Sequence, residues 1–169
     1  MGGVARDSNE PLKLIEQKRT YGVGMTEQIA WFRDEYAFLS NFYSSEIEYE
    51  GVVFPTVEHA FQAAKTMDFD ERRKIAATLA PGSAKRLGRR VKLRPDWEQI
   101  KVGLMRVLLR NKFSDPDLAA RLLATGSAEL IEGNNWNDTF WGVCRGRGRN
   151  MLGQLLMEVR EEVGARTKA

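Results

Sequence analysis

Between Pro55 and Gly126 the chain has room for helices and almost nothing else. Apolar residues recur there at three- and four-residue intervals, and Pro-Gly or Asp-Pro pairs punctuate them. A helix opening near Thr56 carries Val57, Ala60, Ala63, Ala64 and Met67 along one side. A second segment, over about 70–79, is stopped by Pro81-Gly82, and a short one follows over 83–90. Asp96 with Gln99 three residues on predicts a capped helix through Ile100, Leu104, Val107 and Leu108. Asp115-Pro116 reads as an N-cap and N1 proline, and Gly126 closes that helix. So long a helical run leaves no place for the strands of βαβ units and argues against a doubly wound sheet.

Strand signals lie on either side. Residues 29–33 read as a first strand, and 47–54 as a hairpin about Glu50-Gly51, ended by Pro55. SAELIE (127–132) and FWGVCR (140–145) are strand-like, and a last helix is expected over 150–163. The expectation is an α+β fold: a mainly helical single domain over 29–163 with a small antiparallel sheet. Residues 1–28, with Gly2, Gly3, Pro11, Gly22 and Gly24 and no sustained period, read as a flexible arm, and 164–169 as a frayed end.

A chain of 169 residues can bury a core without staples. One cysteine, Cys144, makes no internal disulfide or cysteine zinc site, and one histidine, His59, makes no imidazole cluster. These counts point to a reducing, cytoplasmic setting with neither metal nor cofactor. Apolar runs are short and broken by charge, which excludes a membrane span. The start MGGVAR departs from a myristoylation signal at Arg6. A net charge of +3 favours an anionic ligand mildly and falls short of a dedicated nucleic-acid binder.

Three stretches can carry chemistry. Glu58, Phe61, Gln62 and Lys65 share a second, polar stripe of the helix after Thr56. An acid in a first turn also serves the helix dipole, a lysine is by default solvated, and His59 is more often a satisfied boundary residue than a catalyst. The loop EGNNWNDTFWG (132–142) crowds aromatics and polar residues together; Asn134, Asn135 and Asn137 suit turns, and Asp138 and Trp141 carry the functional expectation. Trp141, Trp97 and Phe61 offer faces on which a base can stack. CRGRGRNMLG (144–153) is not a dinucleotide fingerprint, because Met151 stands where the third glycine belongs. Its glycines would let amides approach an anion, a helix starting at Asn150 would offer N–H groups, and Arg145, Arg147 and Arg149 would grip phosphate; the alternative is a basic turn with solvated arginines.

Leu39-Ser40-Asn41-Phe42, PTVEHAFQAAK (55–65), RPDWE (94–98) with Lys101 and Met105, Lys112-Phe113, Leu130-Ile131-Glu132, Asp138 with Trp141-Gly142, and Asn150-x-Leu152-Gly153-x-x-Leu156-Met157-x-x-Arg160 occur in that order. The ordered set resembles the NADAR (YbiA-like) family. The resemblance implies a hydrolase for N-glycosidic bonds to ribose, acting on ADP-ribosyl-guanine in nucleic acid or nucleotides, or on a phosphoribosylamino-pyrimidine of riboflavin biosynthesis. It implies an ADP-ribosyl or phosphoribosyl ligand as partner and a site lined by Glu58, Lys65, Trp97, Asp138 and Trp141. Glu58 would face the ribose, as cation stabiliser or base for water, and Asp138 would orient groups or transfer a proton. Lys65 would hold a diphosphate or form a Schiff base with ring-opened ribose. Trp97 and Trp141 would sandwich base or ribose. Asn41, Phe61, Gln62, Gly142 and Asn150 complete the expected binding set with the three arginines. A non-catalytic ADP-ribose reader and a general nucleic-acid binder are the rival classes.

Overall fold

The computed structural model describes residues 27–167; of the arm expected over 1–28, residues 1–26 lie outside the described residues. The order is β1 (Gln28–Ile29), a 3-10 helix (Asp34–Leu39), β2 (Ile47–Tyr49), β3 (Val52–Phe54), α1 (Val57–Ala63), α2 (Phe69–Ala76), α3 (Pro81–Gly88) and α4 (Trp97–Lys112). It continues with α5 (Pro116–Ala124), β4 (Glu129–Leu130), β5 (Gly133–Asn134), β6 (Val143–Cys144) and α6 (Met151–Arg166). The architecture is mainly helical with small two-stranded sheets.

The first helix of the expected run is the centre of the molecule. All seven residues of α1 are buried, because α2, α3, α4 and the β2–β3 hairpin pack around it. Thr56 caps it, accepting from the His59 N–H. The His59 ring is satisfied inside: Nε2 donates to the Thr78 carbonyl (3.1 Å), which leaves Nδ1 to accept from the Thr56 hydroxyl (2.7 Å). The hairpin turns as expected, with Glu50 and Gly51 at φ 48° and 75°, the type I′ geometry that suits right-twisted strands. An ion pair from Glu50 to the buried Arg72 anchors that turn to α2.

Several boundaries differ from expectation. Pro81 does not stop a helix but starts one, at N1 of α3. Asp68, rather than a residue at 70, caps α2 by accepting from the Asp70 and Glu71 amides. Asp96 stands at the head of α4 without capping it, since Arg94 takes both its carboxylate oxygens (2.6 and 3.0 Å). Met67, read as part of the apolar stripe, lies past the end of α1 and is exposed. Asp115 caps α5 as expected, and α6 runs on to Arg166.

The expected strand over 29–33 is reduced to Gln28–Ile29, paired parallel with β4. The strand over 127–132 is broken because the Gly133 N–H turns back to the Ile131 carbonyl (2.9 Å); β5 then pairs parallel with β6. The β2–β3 hairpin is the one antiparallel strand pair among the described residues. Short ladders like these need support from elsewhere, and α6 supplies it. Asn150, at φ 52° ahead of α6, accepts from the Glu132 N–H (3.0 Å) and donates to the Leu130 carbonyl (2.8 Å). Gly153 lies so close beneath that a Cβ would stand 2.0 Å from the Leu130 oxygen. No helix among the described residues is long and apolar enough to cross a membrane.

Asn150→Ala leaves two backbone groups unpaired and should destabilise the protein by about 2–5 kcal/mol. Urea denaturation monitored by far-UV circular dichroism measures this, and a loss below about 1 kcal/mol would show the clamp to be dispensable.

Candidate active site

The 3-10 helix ends in Ser40-Asn41-Phe42, which closes over the first turn of α1: the Glu58 N–H donates to the Asn41 carbonyl (3.0 Å). Beneath Ser40, the Lys112 ammonium, on a residue 1% exposed, donates to its carbonyl (2.7 Å). The strand break at Gly133 and the loop to β6 close the opposite side. Between them lies a cavity of about 180 Å3 into which Glu58, Glu132, Asp138, Lys65 and Lys85 all face.

Five ionisable groups in so small a space cannot all keep their ordinary titration. Glu58 is 6% exposed; burial raises its pKa, against the pull of Lys85, a hydrogen bond from Gln62 (2.8 Å) and Lys65. Glu132 is pushed up to about 7, by burial first and then by the charges of Asp138 and Glu58. Burial lowers the pKa of Lys65, and Glu58 opposes that shift. The Lys65 ammonium also lies 5.7 Å from the Trp97 ring centroid and 6.0 Å from that of Phe61. Burial thus raises the pKa of two acids that face one cavity, a perturbation characteristic of sites that transfer protons.

Asp138 is held by its surroundings. Its Oδ1 accepts from the Phe140 (3.1 Å) and Trp141 (2.8 Å) amides. Its backbone exchanges hydrogen bonds with the Asn134 side chain, which donates to the Asp138 carbonyl and accepts from its N–H. Trp141, placed this way, meets Phe61 edge-on at 5.3 Å, and Phe61 meets Trp97 at 4.9 Å.

Seven of the residues read from sequence line the cavity: Asn41, Glu58, Phe61, Gln62, Lys65, Asp138 and Trp141. Asn41 Oδ1 is buried with no partner, so it is free to take a donor from a ligand. The remaining expectations fall elsewhere. Trp97 is buried behind Phe61, so the two tryptophans do not sandwich a ligand; Phe61 stands between them. Gly142 is a spacing residue, since a Cβ there would lie 2.2 Å from the Glu132 oxygen. Asn150 spends its amide on the backbone of β4 and Glu132.

Arg145, Arg147 and Arg149 are exposed and do not line the cavity. Arg145 and Gly146, at φ 50° and 74°, form a tight turn closed by the paired Cys144 and Arg147 backbones. The leading amides of α6 are also occupied: Met151 N–H donates to the Phe140 carbonyl (3.1 Å) and Leu152 N–H to that of Trp141 (3.0 Å). The first two amides of the helix are thus taken by loop carbonyls. The cations of the cavity are instead Lys65 and Lys85. Lys85 and Glu132 were assigned no role in the sequence reading: Lys85 sits in a short helix without a motif, and Glu132, though it opens the loop 132–142 and ends the Leu130-Ile131-Glu132 motif, was not singled out from either. Among the described residues no group of three or more His, Cys, Asp or Glu is placed to hold a metal ion.

A small acid-lined cavity beside an aromatic wall has the paired carboxyl groups that a hydrolase of glycosidic bonds uses. The NADAR domain matches residues 19–164. N-glycosidase YbiA of Escherichia coli K12 is 45% identical over 134 residues, covering 77% of this chain and 83% of that protein. The NMR structure of E. coli YbiA superposes with a TM-score of 0.74 at 40% identity, over 85% of this chain and 89% of that one. A Vibrio vulnificus riboflavin biosynthesis protein, VVA0006, is 41% identical over 77% of this chain and 36% of its own length. The chain belongs to the NADAR family, and by that kinship is an N-glycosidase.

The half-buried Glu132 carboxylate gives a prediction with a definite sign. Its folded pKa, about 7, exceeds the ordinary 4.5, so ionising it costs stability fully above pH 7, and the cost fades as pH falls from 7 towards 4.5. Glu132→Gln should therefore be more stable than wild type at pH 8, by up to about 3 kcal/mol, with the gain vanishing near pH 4.5. Thermal unfolding of both proteins across pH tests this; a gain that grows as pH falls would contradict it.

Proposed function

We propose that the protein hydrolyses the N-glycosidic bond between an ADP-ribosyl group and a guanine base of nucleic acid or nucleotides. The reading is carried by the buried Glu58 carboxylate, which faces a cavity shared with Glu132, Asp138 and Lys65. Cleavage of a C1′–N bond leaves an oxocarbenium-like ribose and a base that must gain a proton. Glu58, ionised, stabilises that cation and takes a proton from the attacking water, whose oxygen goes to C1′. Glu132, with a pKa near 7, is suited to give its proton to the departing base nitrogen. Asp138 holds Trp141 in place and turns its other oxygen to orientation of substrate or water. Lys65 and Lys85 meet phosphate. Lys65, its pKa lowered, could also attack a ring-opened ribose, a role ranked below the electrostatic one.

A second reading, hydrolysis of a phosphoribosylamino-pyrimidine, is supported by the similarity to the Vibrio riboflavin biosynthesis protein. Incubating the protein separately with ADP-ribosylated DNA and with the aminopyrimidine, and following the product by mass spectrometry, separates the two. Saturable binding of ADP-ribose with release of free base from neither would leave a non-catalytic reader.

Glu58→Gln should lower single-turnover release of base by at least about 100-fold while ligand affinity is kept, because the amide retains the shape and loses the charge that only the transition state requires. Near-wild-type turnover would return Glu58 to a role at the helix dipole and move the cation stabiliser to Asp138. In wild type the rate should fall as pH rises through about 7, as Glu132 loses its proton; a rate still rising at pH 8 would remove Glu132 from the proton-donor role.

A further inference from the structure

At about 180 Å3 the cavity is smaller than the roughly 300–1,000 Å3 that enclose a whole drug-sized ligand. It takes a ribosyl-sized part of a nucleotide-like substrate, and the rest must lie across the mouth. Two large aromatic rings are exposed there: Phe42 at 44% and Trp136 at 56%. Both approach one cation. The Lys85 ammonium lies 5.9 Å from the Phe42 centroid and 6.0 Å from that of Trp136, while Phe42 and Lys85 themselves line the cavity.

Single exposed aromatics need no explanation, but these two stand on loops of fixed shape. The Phe42 N–H donates to the Ser40 hydroxyl (3.1 Å), and the Ser40 carbonyl is pinned by the buried Lys112. Trp136 sits at the centre of the loop 134–138 that the reciprocal Asn134–Asp138 hydrogen bonds close, and Asp138 lines the cavity. Exposed rings held in place before a ligand arrives reduce the ordering cost of binding. A cation between them distinguishes the patch from one suited to an apolar partner.

We infer that Phe42, Lys85 and Trp136 form a recognition site for a nucleotide unit at the cavity mouth, its base stacking on the aromatic rings and its phosphate meeting Lys85. Assigning that base to the substrate rests on the glycosidase reading above; the binding itself does not. The same chemistry could come from a free nucleotide or from a unit within a single strand.

The test is isothermal titration of wild type, Trp136→Ala and Trp136→Phe with GMP and, separately, with a short unmodified single-stranded oligonucleotide. Trp136 is exposed, so unchanged melting temperatures are expected to accompany both variants. Trp136→Ala should weaken binding of at least one probe by about 5- to 100-fold, the effect of losing one base–aromatic stack, and Trp136→Phe should keep most of the affinity. Oligonucleotide bound more tightly than GMP assigns the site to a strand; equal affinity assigns it to a free nucleotide. Wild-type affinity in Trp136→Ala, equal loss in both variants, or no binding of either probe by wild type would overturn the inference. Neither probe carries a bond to hydrolyse. Trp136-dependent binding without glycosidase turnover would thus sink the reaction alone, and turnover without such binding would sink the mouth site alone.

Discussion

A helix buried on all sides must find partners for its polar side chains within the protein, and that constraint organises this molecule. α1 carries a glutamate, a histidine and a glutamine into the interior. His59 is satisfied by a threonine and a carbonyl, and Gln62 donates to Glu58. Glu58 accepts that bond at Oε1 and faces the cavity, its second oxygen without a partner among the described residues. The packing that surrounds α1 with three helices and a hairpin is therefore also what removes water from that carboxylate. Glu132 and Lys65 are drawn into the same low-dielectric space.

Much of this could be read from the chain, because the informative residues are local. The four-residue spacing of Glu58 and Gln62 fixes their mutual reach. The Asp115-Pro116 and Glu50-Gly51 signals describe turns and caps whose geometry depends only on neighbours. Where a signal admits two partners, the reading failed. Asp96 could cap its helix or pair with Arg94, and the guanidinium won. Pro81 could end a helix or begin one, since its ring forbids only interior positions.

The arginine-glycine run shows why the rest was illegible. Glycines that would let a backbone approach phosphate are the same glycines that permit a type I′ turn, and nothing within the run distinguishes the two. The difference lies in Phe140 and Trp141, whose carbonyls reach the head of α6 and take its first two amides. Lys85 and Glu132 were invisible for a related reason. Neither shows in its own segment that it faces Glu58, which lies 27 positions from Lys85 and 74 from Glu132 along the chain.

The parallel ladder joining Gln28 to Glu129 ties the two ends of the domain together. It closes a loop of about a hundred residues, an entropic cost that the sequence-local cluster of α1, α2 and α3 does not carry. Glu132 and Asp138 follow the strand that closes it, and Asn41 and Glu58 lie within the loop. A chain that kept its local helices but lost this two-residue ladder would loosen the hold of Glu132 and Asp138 on the cavity that Glu58 faces.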